Sequence, residues 1–203
     1  IVQVGIDVDS SAWAVECAEA WPGRVLAAVA LHPNDAPLLD DLDGALAEIE
    51  RLALSPRVRA IGETGLDHFR TPPELRARQE YSFRAHIEIA RRTGTALMIH
   101  DRDSHDDVLR VLREVGAPDR VILHCFSAPA ARALQAAEWG WLCSFAGNVT
   151  YPSSDELRET ARLVPDELLL VGGLGWLVSW LGWLIRPRVR ERWLVLLVFA
   201  GVA

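Results

Sequence analysis

Glu63, His100 and His124 combine two imidazoles with a carboxylate, a donor set suited to Zn²⁺, Mn²⁺ or a similar divalent ion. Glu63 sits in "AIGETGLD", His100 ends "ALMIH" and His124 ends "VILH". Upstream, His32 follows "VLAAVAL" and Asp7 follows "IVQVGI", so five successive apolar runs each deliver an Asp, Glu or His at the same end. A lone histidine at such a place is more often a hydrogen-bonded core residue; it is the joint recurrence that points to a metal. Arg102 in "IHDRD" could hold a phosphate oxygen in its planar guanidinium fork, or pair with Asp101 or Asp103. Asp67 in "GETGLDH" could orient a metal ligand or cap its own loop. His86 and His105 fall on helical patterns and read as surface residues.

The elements that must position these groups are short. Seven apolar runs, "IVQVGI", "VLAAVAL", "VRAIGETGL", "ALMIH", "VILHCF", "WLCSFAG" and "ELLLV", read as strands. Helical signals lie between them. Ser10 or Ser11 can cap "AWAVECAEAW", residues 38–54 carry apolar residues at three- and four-residue spacing, and Pro72 and Pro73 open a segment that closes on Gly94. "SHDDVLRVLREVG" and "SSDELRETARLV" follow the same plan. Alternation of strand and helix predicts a parallel sheet with right-handed crossovers. No glycine-rich phosphate loop follows any strand, which disfavours a nucleotide-binding open sheet. A closed (β/α) barrel of the TIM type brings the strand-end residues to one mouth, whereas an open sheet would string them apart.

Composition adds bounds. The 203 residues suffice for one such domain. There is no Lys, and residues 1–171 hold 17 Arg against 27 Asp and Glu, so the body is acidic and offers no broad footprint for duplex DNA. Cys17, Cys125 and Cys143 lack CxxC spacing and read as buried thiols of a reducing, cytoplasmic compartment. No secretory signal is visible. The chain opens directly in an apolar strand pattern without Met, so its N-terminus reads as cut.

"AVALHPNDA", "AIGETGLDHFR", "ALMIHDRDSHDD", "ILHCFS" and "VPDELLLV" resemble, in order, the successive motifs of the TatD family of metal-dependent hydrolases, over residues 1–171. The resemblance implies a (β/α) barrel and a family that includes deoxyribonucleases. It implies that Glu63 is a bridging metal ligand, that His100 and His124 complete the second metal position, and that His32 and Arg102 lie near the substrate phosphate. The intact family site holds divalent ions as a pair; Mg, Mn and Zn are not distinguished. The family's first strand carries an HxH pair, and this chain begins after that point, so the barrel is expected to be incomplete. The family's last strand runs on into Glu, Ser or Thr, then Asp, where this chain has Gly172, Gly173 and Leu174. The expected activity is therefore metal-dependent phosphodiester hydrolysis of the deoxyribonuclease type, impaired in this chain. Glu63, His32 and Arg102 are its catalytic residues, DNA as single strands or ends is its substrate, and no stable protein partner is expected. Hydrolysis of an amide, lactone or carboxylic ester remains open, as does a non-catalytic membrane-tethered relative.

The last part of the chain is chemically foreign to the rest. Residues 172–203 hold four Arg against Glu191 alone. Residues 168–185 run for 18 positions without a charge, and Arg186, Arg188, Arg190 and Arg192 follow, the pattern of a membrane helix with a cytoplasmic end. If Leu168 to Val171 forms the closing strand, 14 residues remain before Arg186, whereas a span needs roughly 20. Membrane insertion is thus disfavoured, and the segment reads as a non-native tail from a shifted frame or a misjoined sequence.

Overall fold

The computed structural model describes residues 1–172 and 196–199. Eight parallel strands close into a barrel in chain order: β1 (Val2–Val4), β2 (Leu26–Val29), β3 (Val58–Asp67), β4 (Ala96–Arg102), β5 (Val121–His124), β6 (Leu142–Phe145), β7 (Leu169–Gly172) and β8 (Leu196–Phe199). Helices α1 (Val8–Ala20), α2 (Leu42–Ala53), α3 (Arg76–Thr93), α4 (His105–Val115), α5 (Ala130–Glu138) and α6 (Asp155–Leu163) lie between consecutive strands from β1 to β7.

The barrel type is the expected one, but the barrel is closed where an incomplete one was expected. β8 pairs with β7 through Val171↔Leu196 and Gly172↔Leu197, and with β1 through Val2↔Leu197 and Val4↔Phe199. Backbone donors and acceptors that β1 and β7 would otherwise leave unpaired are thus taken up by an apolar run near the end of the chain. The barrel accordingly does not end at Val171, because β7 continues to Gly172 and β8 lies beyond it. The candidate membrane segment falls mostly on residues 173–185, outside the described residues, while its start is strand β7. Among the described residues no helix is long and apolar enough to cross a membrane.

Strand alternation sorts the side chains into two layers. Val2, Val4, Ala28, Ala60 and Met98 form a small apolar cluster, with Leu26, Ala96 and Ile122 packed on it. These are alternate residues of neighbouring strands, so they fill the barrel interior. The larger cluster, including Val29, Ile61, Leu97, Ile99, Phe83 and Ile87, lies between strands and helices. Continuing the inward rows by two residues reaches His100 after Met98 and His124 after Ile122. The residues that could do chemistry therefore cap the apolar interior at the end where the strands stop.

Local signals place the helices. Asp7, not Ser10 or Ser11, caps α1: its carboxylate accepts the Ser10 N–H at 2.7 Å while Ser10 Oγ accepts the Asp7 N–H at 3.1 Å, a reciprocal capping box. Asp7 is therefore committed to a helix end, and its place after a strand does not make it a site residue. Asp41 caps α2, and Gly94 ends α3 in the left-handed conformation, φ 66°. Of the cysteines, Cys143 is buried, but Cys17 and Cys125 are only partly so. His86 also departs from expectation, since it is fully buried on α3.

His86 Nε2 accepts the Leu31 N–H at 3.0 Å, and its Nδ1 donates to the Ser82 carbonyl at 2.7 Å. Burial lowers its pKa from 6.5 to about 4, against a smaller upward pull from the Ser82 carbonyl. The folded state thus holds His86 neutral, while the unfolded chain protonates it below pH 6.5. Its contribution is present above that pH and is lost as pH falls toward 4. At ~1.4 kcal/mol per unit the loss amounts to about 3 kcal/mol. Urea unfolding at about pH 7 and about pH 4.5 should show this acid loss in the parent, and a markedly smaller one in His86→Gln. Equal losses would mean that His86 does not titrate as the structure implies.

Candidate metal centre

A local irregularity aims Glu63. Pairing of β3 with β4 passes from Ile61↔Leu97 to Thr64↔Ile99, so β3 carries one extra residue between those points. A bulge of this kind re-aims the following side chain. Glycines flank the site on both sides because the strands approach too closely for a Cβ: one on Gly62 would lie 2.3 Å from the Met98 carbonyl oxygen, and one on Gly65 2.0 Å from that of His100. Both also have positive φ.

The bulge delivers Glu63 between two imidazoles. Its Oε1 is 2.9 Å from His100 Nδ1 and its Oε2 is 3.9 Å from His124 Nε2. The His32 ring packs edge-on against His100 at 4.8 Å between centroids. His32, Glu63 and His100 each offer a donor atom within 4.8 Å of the others, the spacing of a metal-binding group. His124 joins through Glu63, and Cys125 Sγ lies 3.0 Å from the same Nε2. Glu63 thus lies between His100 and His124, while the group with metal-ligand spacing is His32, Glu63 and His100, so His32 is drawn in more closely than the sequence suggested.

Asp67 fills both roles considered for it. Oδ2 contacts His100 Nε2 at 3.1 Å, which orients the imidazole, and Oδ1 accepts the backbone N–H groups of Phe69 at 3.0 Å and Arg70 at 2.8 Å. Arg102 forms no ion pair with Asp101 or Asp103 among the described residues; its guanidinium carbon sits 3.9 Å over the Phe69 ring. Asp101 instead binds His105 Nδ1 at 2.6 Å and Ser104 Oγ at 2.8 Å. His105 is accordingly engaged at the rim, not free on the surface.

Protonation follows from these contacts. Burial alone would raise the Glu63 pKa, but the surrounding imidazoles, His124 and His100 foremost, hold it down at about 2. Burial opposes charge on His100, yet the Glu63 and Asp67 carboxylates raise its pKa. Burial lowers the pKa of His32 and of His124, against the upward pull of the Glu63 carboxylate. In His32 the Nδ1 accepts the Asn34 N–H at 3.2 Å, so the neutral ring carries its proton on Nε2. That tautomer suits donation to an oxygen better than metal ligation, although the spacing permits either.

Among the described residues the wall at the end of β7 carries no charged side chain. Gly172 ends β7 beside Ser144 and His124, where a Cβ would lie 2.7 Å from Ser144 Oγ and 3.3 Å from His124 Cε1. Ser144 Oγ is buried and has no hydrogen-bond partner among the described residues. An unsatisfied hydroxyl near the His124 ring fits a centre that takes a polar or ionic guest.

Two supporting residues escaped the sequence. Gln79 on α3 donates to the Pro33 carbonyl at 2.8 Å and accepts the Asp67 N–H at 3.1 Å, so it ties the His32 loop to the end of β3. His86, one turn pair further on, holds Leu31, the residue before His32. The available signal was polar side chains on the buried stripe of α3, where Gln79, Ser82 and His86 share a face with Phe83 and Ile87.

Comparison with known proteins gives the family and the fold. The family model described as TatD related DNase matches residues 1–173. The uncharacterized metal-dependent hydrolase TatD of Mycobacterium tuberculosis is 49% identical over 176 residues, covering 84% of this chain and 65% of the relative. The uncharacterized metal-dependent hydrolase YcfH of Escherichia coli K12 is 39% identical over 142 residues, covering 70% of this chain and 51% of the relative. This chain therefore spans less than two thirds of either. Among solved structures, the TatD homolog YjjV of Escherichia coli superposes with a TM-score of 0.74 at 25% identity, over 84% of this chain and 65% of that one.

Proposed function

Since this chain belongs to the TatD family, we propose that it is a divalent-metal-dependent hydrolase of phosphodiester bonds, of the deoxyribonuclease type, working at low efficiency. The observation that carries the reading is Glu63 held between His100 and His124 at the mouth of the barrel. Glu63, His100 and His124 would hold the ion, with Asp67 fixing the His100 ring. A divalent ion there supplies a Lewis acid that neutralises phosphoryl charge and lowers the pKa of water.

The remaining roles belong to the chain itself. His32 presents Nε2–H toward a non-bridging phosphate oxygen, its tautomer set by the Asn34 N–H. Arg102 lies two residues beyond His100 on β4 and brings positive charge to the rim of an otherwise acidic body. Low efficiency follows from the wall at the end of β7, because among the described residues there, Gly172 and Ser144, neither offers an anionic donor for a second ion. Single-stranded DNA or DNA ends are the substrate, since the acidic body offers no broad footprint for a duplex.

The test incubates the folded chain with single-stranded DNA, duplex DNA, p-nitrophenyl acetate and a simple lactone, with Mn²⁺ or with EDTA. The expected result is slow cleavage of single-stranded DNA that needs Mn²⁺. Faster turnover of the ester or lactone, or no DNA cleavage at any Mn²⁺ concentration, would overturn the assignment.

A further inference from the structure

Phe69 is an aromatic ring where none is needed for packing. It lies two residues beyond Asp67 and is 64% exposed. Its position is nonetheless fixed. The Asp67 carboxylate that holds His100 on one oxygen accepts the Phe69 N–H on the other, and the neighbouring His68 N–H donates to the Arg102 carbonyl at 2.9 Å. Asp67 and Arg102 face each other in the β3–β4 register, so the ring and the guanidinium that covers it stand at adjacent strand ends. One carboxylate thus couples an exposed aromatic face to a metal-centre histidine.

Building on the phosphodiester reading, we infer that Phe69 and Arg102 form a stacking platform for one unpaired nucleobase of a single-stranded substrate whose phosphodiester lies at the metal centre. Arg102 covers one face of the ring, which leaves the other for the base. Stacking on an aromatic ring is indifferent to base identity, because every base offers a π-face. A base inside a duplex has its faces occupied by its neighbours, so the platform selects single strands and frayed ends. It also supplies affinity that the acidic body cannot, since residues 1–171 have ten more carboxylates than Arg. Phe69 is a specificity-determining residue and does not touch the reacting atoms.

The experiment measures anisotropy of fluorescein-labelled hexathymidylate at low salt in EDTA, where no hydrolysis intervenes, with an all-abasic hexamer of the same backbone as second probe. Phe69→Ala and Phe69→Leu should each weaken hexathymidylate binding about tenfold. Phe69→Trp should retain it, and the abasic hexamer should bind weakly and equally to all four proteins. The high exposure of Phe69 leaves the fold intact in each variant, which circular dichroism verifies. Parent-like binding by Phe69→Leu, or equal losses for both probes, overturns the platform alone. Failure of the parent chain to bind either hexamer overturns the nucleic-acid reading together with it.

Discussion

Glu63→Gln should lower Mn²⁺ affinity and Mn²⁺-dependent DNA cleavage together, the cleavage by about 10³, or ~4 kcal/mol of transition-state stabilisation. Glutamine keeps the shape of the side chain and removes its charge, so the bulge in β3 and the glycine contacts around it persist. What disappears is the anion between His100 and His124. The three residues then offer neutral donors to a dication, and His100 loses the carboxylate that most favours its protonated form. Calorimetric titration with Mn²⁺ reports the first effect without requiring turnover. Parent-like Mn²⁺ affinity in Glu63→Gln would show that the metal, if bound, sits elsewhere.

Gly65→Ala should cost about 3 kcal/mol or more of folding stability, a fall of roughly 6–12 °C in Tm for a domain of this size. Two causes combine. The residue has φ 143°, which an L side chain rarely adopts, and the new Cβ would meet the His100 carbonyl oxygen at 2.0 Å. The obstacle is strand backbone, so relief requires β3 and β4 to separate at the very place where Glu63 and His100 meet. Gly94→Ala is the control: it also has positive φ, 66°, but nothing lies within 4 Å of the added atom, and it should cost only about 1 kcal/mol. Equal effects at the two positions would mean that conformational preference, and not strand proximity, makes glycine necessary at Gly65. Loss of Mn²⁺ affinity in Gly65→Ala, beyond any loss of stability, would further tie this close approach to the metal centre.

The apolar runs, their spacing and the residues that end them were legible in the sequence because a strand's alternation is a local property. A β-strand turns its side chains in and out with period two whatever surrounds it, and polar groups collect where the strand leaves the core. That is why His100 and His124 could be placed at one mouth, and why the turn residues marked the helices between. Tertiary structure decided everything that rests on contacts between distant parts of the chain. The extra residue in β3 is visible only against β4, since a bulge exists only relative to a partner strand. Asp67 was ambiguous in sequence and takes both roles because its two oxygens face different partners, one in its own loop and one on the next strand. His86 and Gln79 were unreadable as supports because each satisfies a backbone group far away in sequence, 55 residues in one case and 46 in the other. Arg102 had acidic neighbours on both sides yet rests on an aromatic ring, since strand geometry turns adjacent residues to opposite faces. Closure was hidden for the same reason: an apolar run reports that it will be buried, but which strand edges it buries against is set by where unpaired backbone groups remain once the other seven strands have assembled.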